Sequence, residues 1–207
     1  MRANLPSRKT LCQRPTKSEL NLGLLLIIAP LLLAVAGCVE FKEPVADQTH
    51  FTLDDRILGK WEDASRTKDR TNWEVRTVDA QTGLYELILE KGLATPFRLL
   101  DINGSLIMSY SRATTPGQPP NADTAKQTNV ALCQFDSDGK LRIFDLNQQT
   151  TGQVISAKQL PGTFERSRFG RYSKVTVNSA DSTRAWIKTF GRSLFERDPY
   201  MTLTRRD

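Results

Sequence analysis

Histidine is almost missing from this chain, with one residue, His50, in 207. An imidazole-activated nucleophile needs its base at the site. His50 lies in a polar stretch expected outside the folded domain, so Ser-His-Asp and Cys-His catalysis are not expected. Cysteine is nearly as scarce, at Cys12, Cys38 and Cys133. That number and spacing allow neither a disulfide framework nor a Cys/His metal centre. There is no glycine-rich phosphate loop and no dinucleotide fingerprint. Asp54-Asp55 and Asp136-Ser137-Asp138-Gly139 are acidic, but the second is a calcium-loop fragment without its distal glutamate, and it reads as a solvated hairpin turn. Glu62, Asp63, Glu74, Glu86 and Glu90 offer carboxylates for acid–base pairing; Glu86 and Glu90 read more simply as the wet face of one strand. From these absences we expect no enzyme, no catalytic residue, no metal and no cofactor.

Long apolar runs are absent with one exception, Leu22 to Gly37. A membrane-crossing helix needs about 20 such residues, so this run is short, and Pro30 removes a helix hydrogen bond in its middle. Before it stand Arg2, Arg8, Lys9, Arg14 and Lys17, with Glu19 the single acid. Positive charge ahead of an apolar core is the secretory pattern. The run ends in Val35-Ala36-Gly37-Cys38. These residues resemble a bacterial lipoprotein signal peptide with its lipobox. The resemblance implies a signal helix over residues 1–37, cleavage before Cys38, a diacylglyceryl group on its thiol and an acyl group on the new amine. Two or three acyl chains, at about 0.8 kcal/mol per buried CH₂, anchor a protein stably. Val39 follows in place of an aspartate, which in that family implies the outer membrane where the host has one.

Removing the leader changes the composition. Of 29 basic and 23 acidic residues, five and one precede Cys38, leaving 24 against 22. The basic balance is therefore a targeting feature, and nucleic-acid binding is not expected. With Cys38 acylated, Cys133 is the one remaining thiol, and its apolar setting, NVALCQF, predicts burial.

Val39 to His50 is polar, contains Pro44 and shows no period, which predicts a tether over residues 38–50. Residues 51–207 read as one domain of short strands. Phe51–Leu58 predicts a turn or short helix, followed by a strand to Asp63. Asn72–Val78 alternates with Trp73, Val75 and Thr77 on one face, and Leu84–Lys91 with Tyr85, Leu87 and Leu89. Thr95–Ile102 and Leu106–Ser111 flank Asn103-Gly104, a two-residue hairpin signal. Residues 114–127 are Pro-rich and predict a mobile loop. Strands follow at 129–135, 140–146, 172–177 and 200–206. Gln148–Gly162 stays open between helix and loop, because Gly152 opposes a helix. Ser179 caps a helix carrying Trp186, Ile187 and Phe190, and Gly191 stops it. Seven to nine strands and one C-terminal helix predict a mainly β fold: an antiparallel up-and-down barrel or half-barrel.

Gly59-Lys60-Trp61 resembles the Gly-x-Trp signature that opens the first strand of lipocalins, where the tryptophan plugs the closed end of the barrel. Arg205 and Arg206 are the candidates for the family's arginine over that ring. Together with FRLLDINGSLIMSY and the pair Leu194-Phe195, the chain is similar to lipocalin-like bacterial lipoproteins of uncharacterised function. The resemblance implies a barrel and imports no activity. Trp61, Trp73, Tyr85, Phe97 and Tyr110 are candidate ligand-lining residues, since a barrel of about eight strands is either filled by side chains or holds one small ligand. Two functional expectations follow. One is a lipid-anchored envelope protein whose β domain binds a protein partner or envelope component. The other is a carrier of a small apolar ligand.

Overall fold

The computed structural model describes residues 39–64, 71–89, 92–111 and 128–206. The signal segment, the lipobox with Cys38, Glu90 and the Pro-rich loop 114–127 lie outside them. Eleven strands form: β1 (Val39–Phe41), β2 (Gly59–Asp63), β3 (Asn72–Asp79), β4 (Leu84–Leu89), β5 (Ala94–Ile102), β6 (Ser105–Ser111), β7 (Thr128–Phe135), β8 (Leu141–Asp145), β9 (Gly162–Arg166), β10 (Tyr172–Val177) and β11 (Met201–Arg206). Two α-helices follow β8: α1 (Gln148–Ser156) and α2 (Ala180–Phe190).

Strands β2 to β8 run as an antiparallel meander in which each pairs with the next. The eighth stave comes from the far end of the chain. β11 pairs with β8 on one side and β2 on the other, which closes the sheet into a barrel. The expected C-terminal helix is α2, with Ser179 Oγ accepting from the Ser182 N–H and Gly191 at its end. Asn103 and Gly104 take φ of 55° and 77° between β5 and β6, as a two-residue hairpin requires.

Strands β6, β7 and β8 bury both faces. Inward residues recur at every second position: Trp61, Val75, Tyr85, Leu87, Phe97, Leu99, Leu106, Met108, Ala131, Cys133, Leu141, Ile143, Met201 and Leu203 form one core inside the barrel. The intervening residues of β6, β7 and β8 (Ile107, Val130, Leu132 and Phe144) face outward into a second core. There they meet Ile155 and Leu160 from the α1 region, Trp186 and Ile187 of α2, the Leu194-Phe195 pair, and Val175 and Val177 of β10. Burial on two faces explains the consecutive apolar residues of LIM and VALC in β6 and β7.

Two expectations need correction, on residues 39–50 and Glu86, and the open stretch at Gln148–Ser156 takes a definite structure. Residues 39–50 are not a free tether. Val39, Phe41, Val45 and Ala46 are all buried. β1 pairs in parallel with β10, Val39 opposite Val175. The Ala180 N–H donates to Glu43 Oε2 (3.0 Å), and Arg184 Nη1 donates to the Val45 carbonyl (2.8 Å). Gln148–Ser156 is helical despite Gly152, with Asn147 Oδ1 accepting from the Thr150 N–H at its start. Glu86 is on the outer face, as alternation requires, but is only 2 % exposed and pairs with Arg76 at 3.0 Å.

Candidate binding surface and barrel interior

The chain enters the barrel through a cap across one end. Residues 51–58 cross that end, with the Thr52 N–H donating to the Leu99 carbonyl (2.7 Å) and the Asp54 N–H to Tyr85 Oη (3.0 Å). A single 3₁₀ turn at Asp55–Ile57 leads into β2. Trp61 is then fully buried, and its indole N–H donates to the Ile57 carbonyl at 2.8 Å. Directly opposite on β11 is Arg205. Its guanidinium lies 5.0 Å from the Trp61 ring centre and donates to the Arg56 carbonyl at 2.6 Å. Arg56 in turn stacks over Phe135, 4.7 Å from the ring centre. Tryptophan, cap and two arginines therefore seal this end with every strong donor of the indole satisfied.

Of the two candidate arginines, Arg205 is over the tryptophan. Arg206 points the other way, to Asn72 Oδ1 at 2.6 Å. Sequence could not choose between adjacent arginines. Register does, because cross-strand partners share a face and Arg205 is the partner of Trp61.

The five aromatic candidates share the inward face. Tyr85 and Phe97 are cross-strand partners, stacked at 5.3 Å with an interplanar angle of 16°. Tyr110 continues the same row opposite Phe97, and Trp73 is opposite Trp61. Trp61, Tyr85 and Phe97 are buried; Trp73 and Tyr110 are half-buried against the same core. They pack against one another and against aliphatic side chains. Hollows beside them open to solvent, and one of about 230 Å³ reaches Phe97 and Tyr110. Another of about 420 Å³ has Trp61, Trp73, Glu74, Ile88 and Arg206 in its wall, and one of about 470 Å³ lies by Arg56, Phe135 and Arg142. The indole N–H of Trp73 is buried without a hydrogen-bond partner.

The thiol and the acids have structural surroundings. Cys133 is wholly inside the barrel core, where burial, and secondarily the charge of Asp54, pushes its pKa up to about 12. Asp136 Oδ1 accepts from the N–H groups of Asp138 (3.0 Å) and Lys140 (2.9 Å), while Oδ2 pairs with Arg142 at 3.0 Å. That carboxylate is occupied in holding its hairpin turn. Asp47 does the same in the segment before the cap. Burial alone would raise its pKa; hydrogen bonds from Thr49 and His50 outweigh that and hold it at about 2. His50, the lone histidine, lies beside Asp47, with Nδ1 3.2 Å from Oδ1.

The fold is that of a lipocalin-like antiparallel barrel: eight staves, a sealed end with tryptophan under arginine, and a helix before the last stave. No family model, curated protein or solved structure matches the chain.

Proposed function

We propose that this protein is a lipid-anchored bacterial envelope protein whose barrel domain binds a protein partner or envelope component through its outer surface. Cys38 would carry the lipid, and the outer membrane is the proposed location where the host has one. The observation that carries this reading over the carrier alternative is the filled interior. Side chains from all eight staves meet in one core, and Trp61, Tyr85, Leu99, Leu141 and Leu203 within it are at most 1 % exposed. A carrier of this size class instead surrounds its ligand with an enclosed apolar space of several hundred Å³. No catalytic role is assigned to any residue.

The test is native mass spectrometry of the full-length protein extracted from its own host in mild detergent. The expected result is an acylated Cys38 and a stoichiometric macromolecular partner. A one-to-one small apolar molecule that survives removal of the detergent would support the carrier instead.

A further inference from the structure

The described residue with the greatest apolar exposure is Phe169, 85 % exposed at the tip of the β9–β10 hairpin. The hairpin is not a loose loop. Its turn is closed by the Ser167 N–H donating to the Arg171 carbonyl (2.8 Å) and the Gly170 N–H to the Ser167 carbonyl (2.9 Å). Gly170 takes a φ of 76°, the left-handed position that such a turn needs. The base is fixed to α1. Gln149 Nε2 donates to the Tyr172 carbonyl (3.0 Å), and the Tyr172 N–H donates back to Gln149 Oε1 (3.1 Å). Arg166 caps the base, 4.9 Å over the Tyr172 ring and bonded to its hydroxyl at 2.9 Å. A rigid base thus presents a large apolar side chain to solvent.

The charge around that side chain is mostly positive. Arg166, Arg168, Arg171 and Lys174 lie between Thr163 and Lys174, with Glu165 the single acid. Arg168 and Arg171 flank Phe169 and are exposed, and they form no ion pair with any described residue. An aromatic ring between unpaired arginines is suited to the boundary between lipid headgroups and acyl chains, where the ring is buried and the guanidinium groups meet phosphate.

The topology adds a second observation. β1 runs parallel to β10 with Val39 opposite Val175. Val39, the first described residue, is therefore at the end of β1 nearest the start of β10, the end that carries the hairpin tip. Cys38 is bonded to Val39, so the two Cα atoms are about 3.8 Å apart. Arg171 is four residues before Val175, about 13 Å along the strand. The tip is therefore at the Val39 end of β10, about 13 Å beyond the level of Val39.

We propose that the β9–β10 tip is a membrane-docking element: Phe169 enters the headgroup–acyl boundary of an anionic leaflet, and Arg168 and Arg171 pair with its phosphates, beside the lipid on Cys38. This rests on the lipoprotein reading above. It fixes the orientation of the barrel. The barrel end opposite the cap, where Leu93 is exposed just before β5, is by register the end away from Val39, and a partner would be met there.

The test uses the full-length protein, matured in its host and reconstituted in phosphatidylethanolamine–phosphatidylglycerol vesicles. A nitroxide is attached to Phe169→Cys or, as a control, to Leu93→Cys; the Cys133 thiol is buried and does not compete. Peptide mass spectrometry of the same sample reports the lipid on Cys38. The expected result is an acylated Cys38 and an oxygen-to-nickel-complex collision ratio several-fold higher at position 169 than at 93. Acylated Cys38 with position 169 as water-accessible as 93 would overturn the docking proposal alone. An unmodified Cys38 would overturn the lipoprotein reading and the proposal with it. Equal depth in purely phosphatidylcholine vesicles would overturn the role given to the arginines.

Discussion

At the residue scale, two side chains are held far from their ordinary titration, for opposite reasons. Cys133 is in a hydrocarbon environment that disfavours thiolate, and thiolate is the reactive form. We expect Cys133 to stay unmodified by a thiol reagent at pH 8 in the native protein and to react fully in urea, read by peptide mass spectrometry at that residue. Rapid native labelling would contradict its place in the barrel core. Asp47 is the converse case. Its carboxyl is lowered from 3.8 to about 2 in the folded state, so its stabilisation is fully present above about pH 4 and is lost as pH falls through about 2. Its partial exposure limits the contribution to about 1 kcal/mol. Asp47→Asn is expected to lower stability by that amount at pH 7, with the gap closing in urea titrations toward pH 2. A gap independent of pH would show that charge is not what Asp47 contributes.

At the scale of the elements, the clearest case is α1. A glycine in the interior of an exposed helix costs about 1 kcal/mol relative to alanine, which is why the α1 sequence reads ambiguously. The missing Cβ is where the Tyr172 ring sits: an added methyl would be 2.3 Å from that ring. The glycine therefore permits the packing of α1 on β10, and helix propensity loses to it. Gly152→Ala is expected to destabilise by about 1–3 kcal/mol, against the stabilising sign that propensity alone gives. Chemical denaturation decides the sign, and a more stable variant would refute the packing role. Other elements were legible for equally physical reasons. β3, β4 and β5 alternate over five or more residues beside turn signals, and α2 carries both its cap and its stop. β1 was not, because Val-Glu-Phe is three residues long and its partner, β10, is over 130 positions away. β9 has no apolar alternation at all, since it is an exposed edge, and only its pairing with β10 defines it.

At the scale of the whole molecule, the barrel was readable and its closure was not. Gly59-Lys60-Trp61 and the run of hairpins point to a barrel, but nothing local states that residues 201–206 supply the last stave. That follows from pairing on both sides, and the same pairing selects Arg205 over Arg206. The second core outside the barrel had a signal in sequence, the unbroken apolar residues of β6 and β7, which an ordinary one-faced strand does not need. Its consequence is that residues 39–50, polar in composition, are drawn into the domain through Val39, Phe41, Val45 and Ala46. Any lipid on Cys38 would thus be next to folded protein, without a leash between them. Orientation on a membrane would then be a property of the fold.

The central claim is that the barrel is filled, so that recognition belongs to its surface. Xenon enters dry apolar cavities and leaves close-packed cores empty. Crystals of the protein held under xenon pressure should show no xenon density in the space bounded by Trp61, Tyr85, Leu99 and Leu203. Ordered xenon there would reveal an enclosed apolar chamber and contradict the account in favour of an interior ligand.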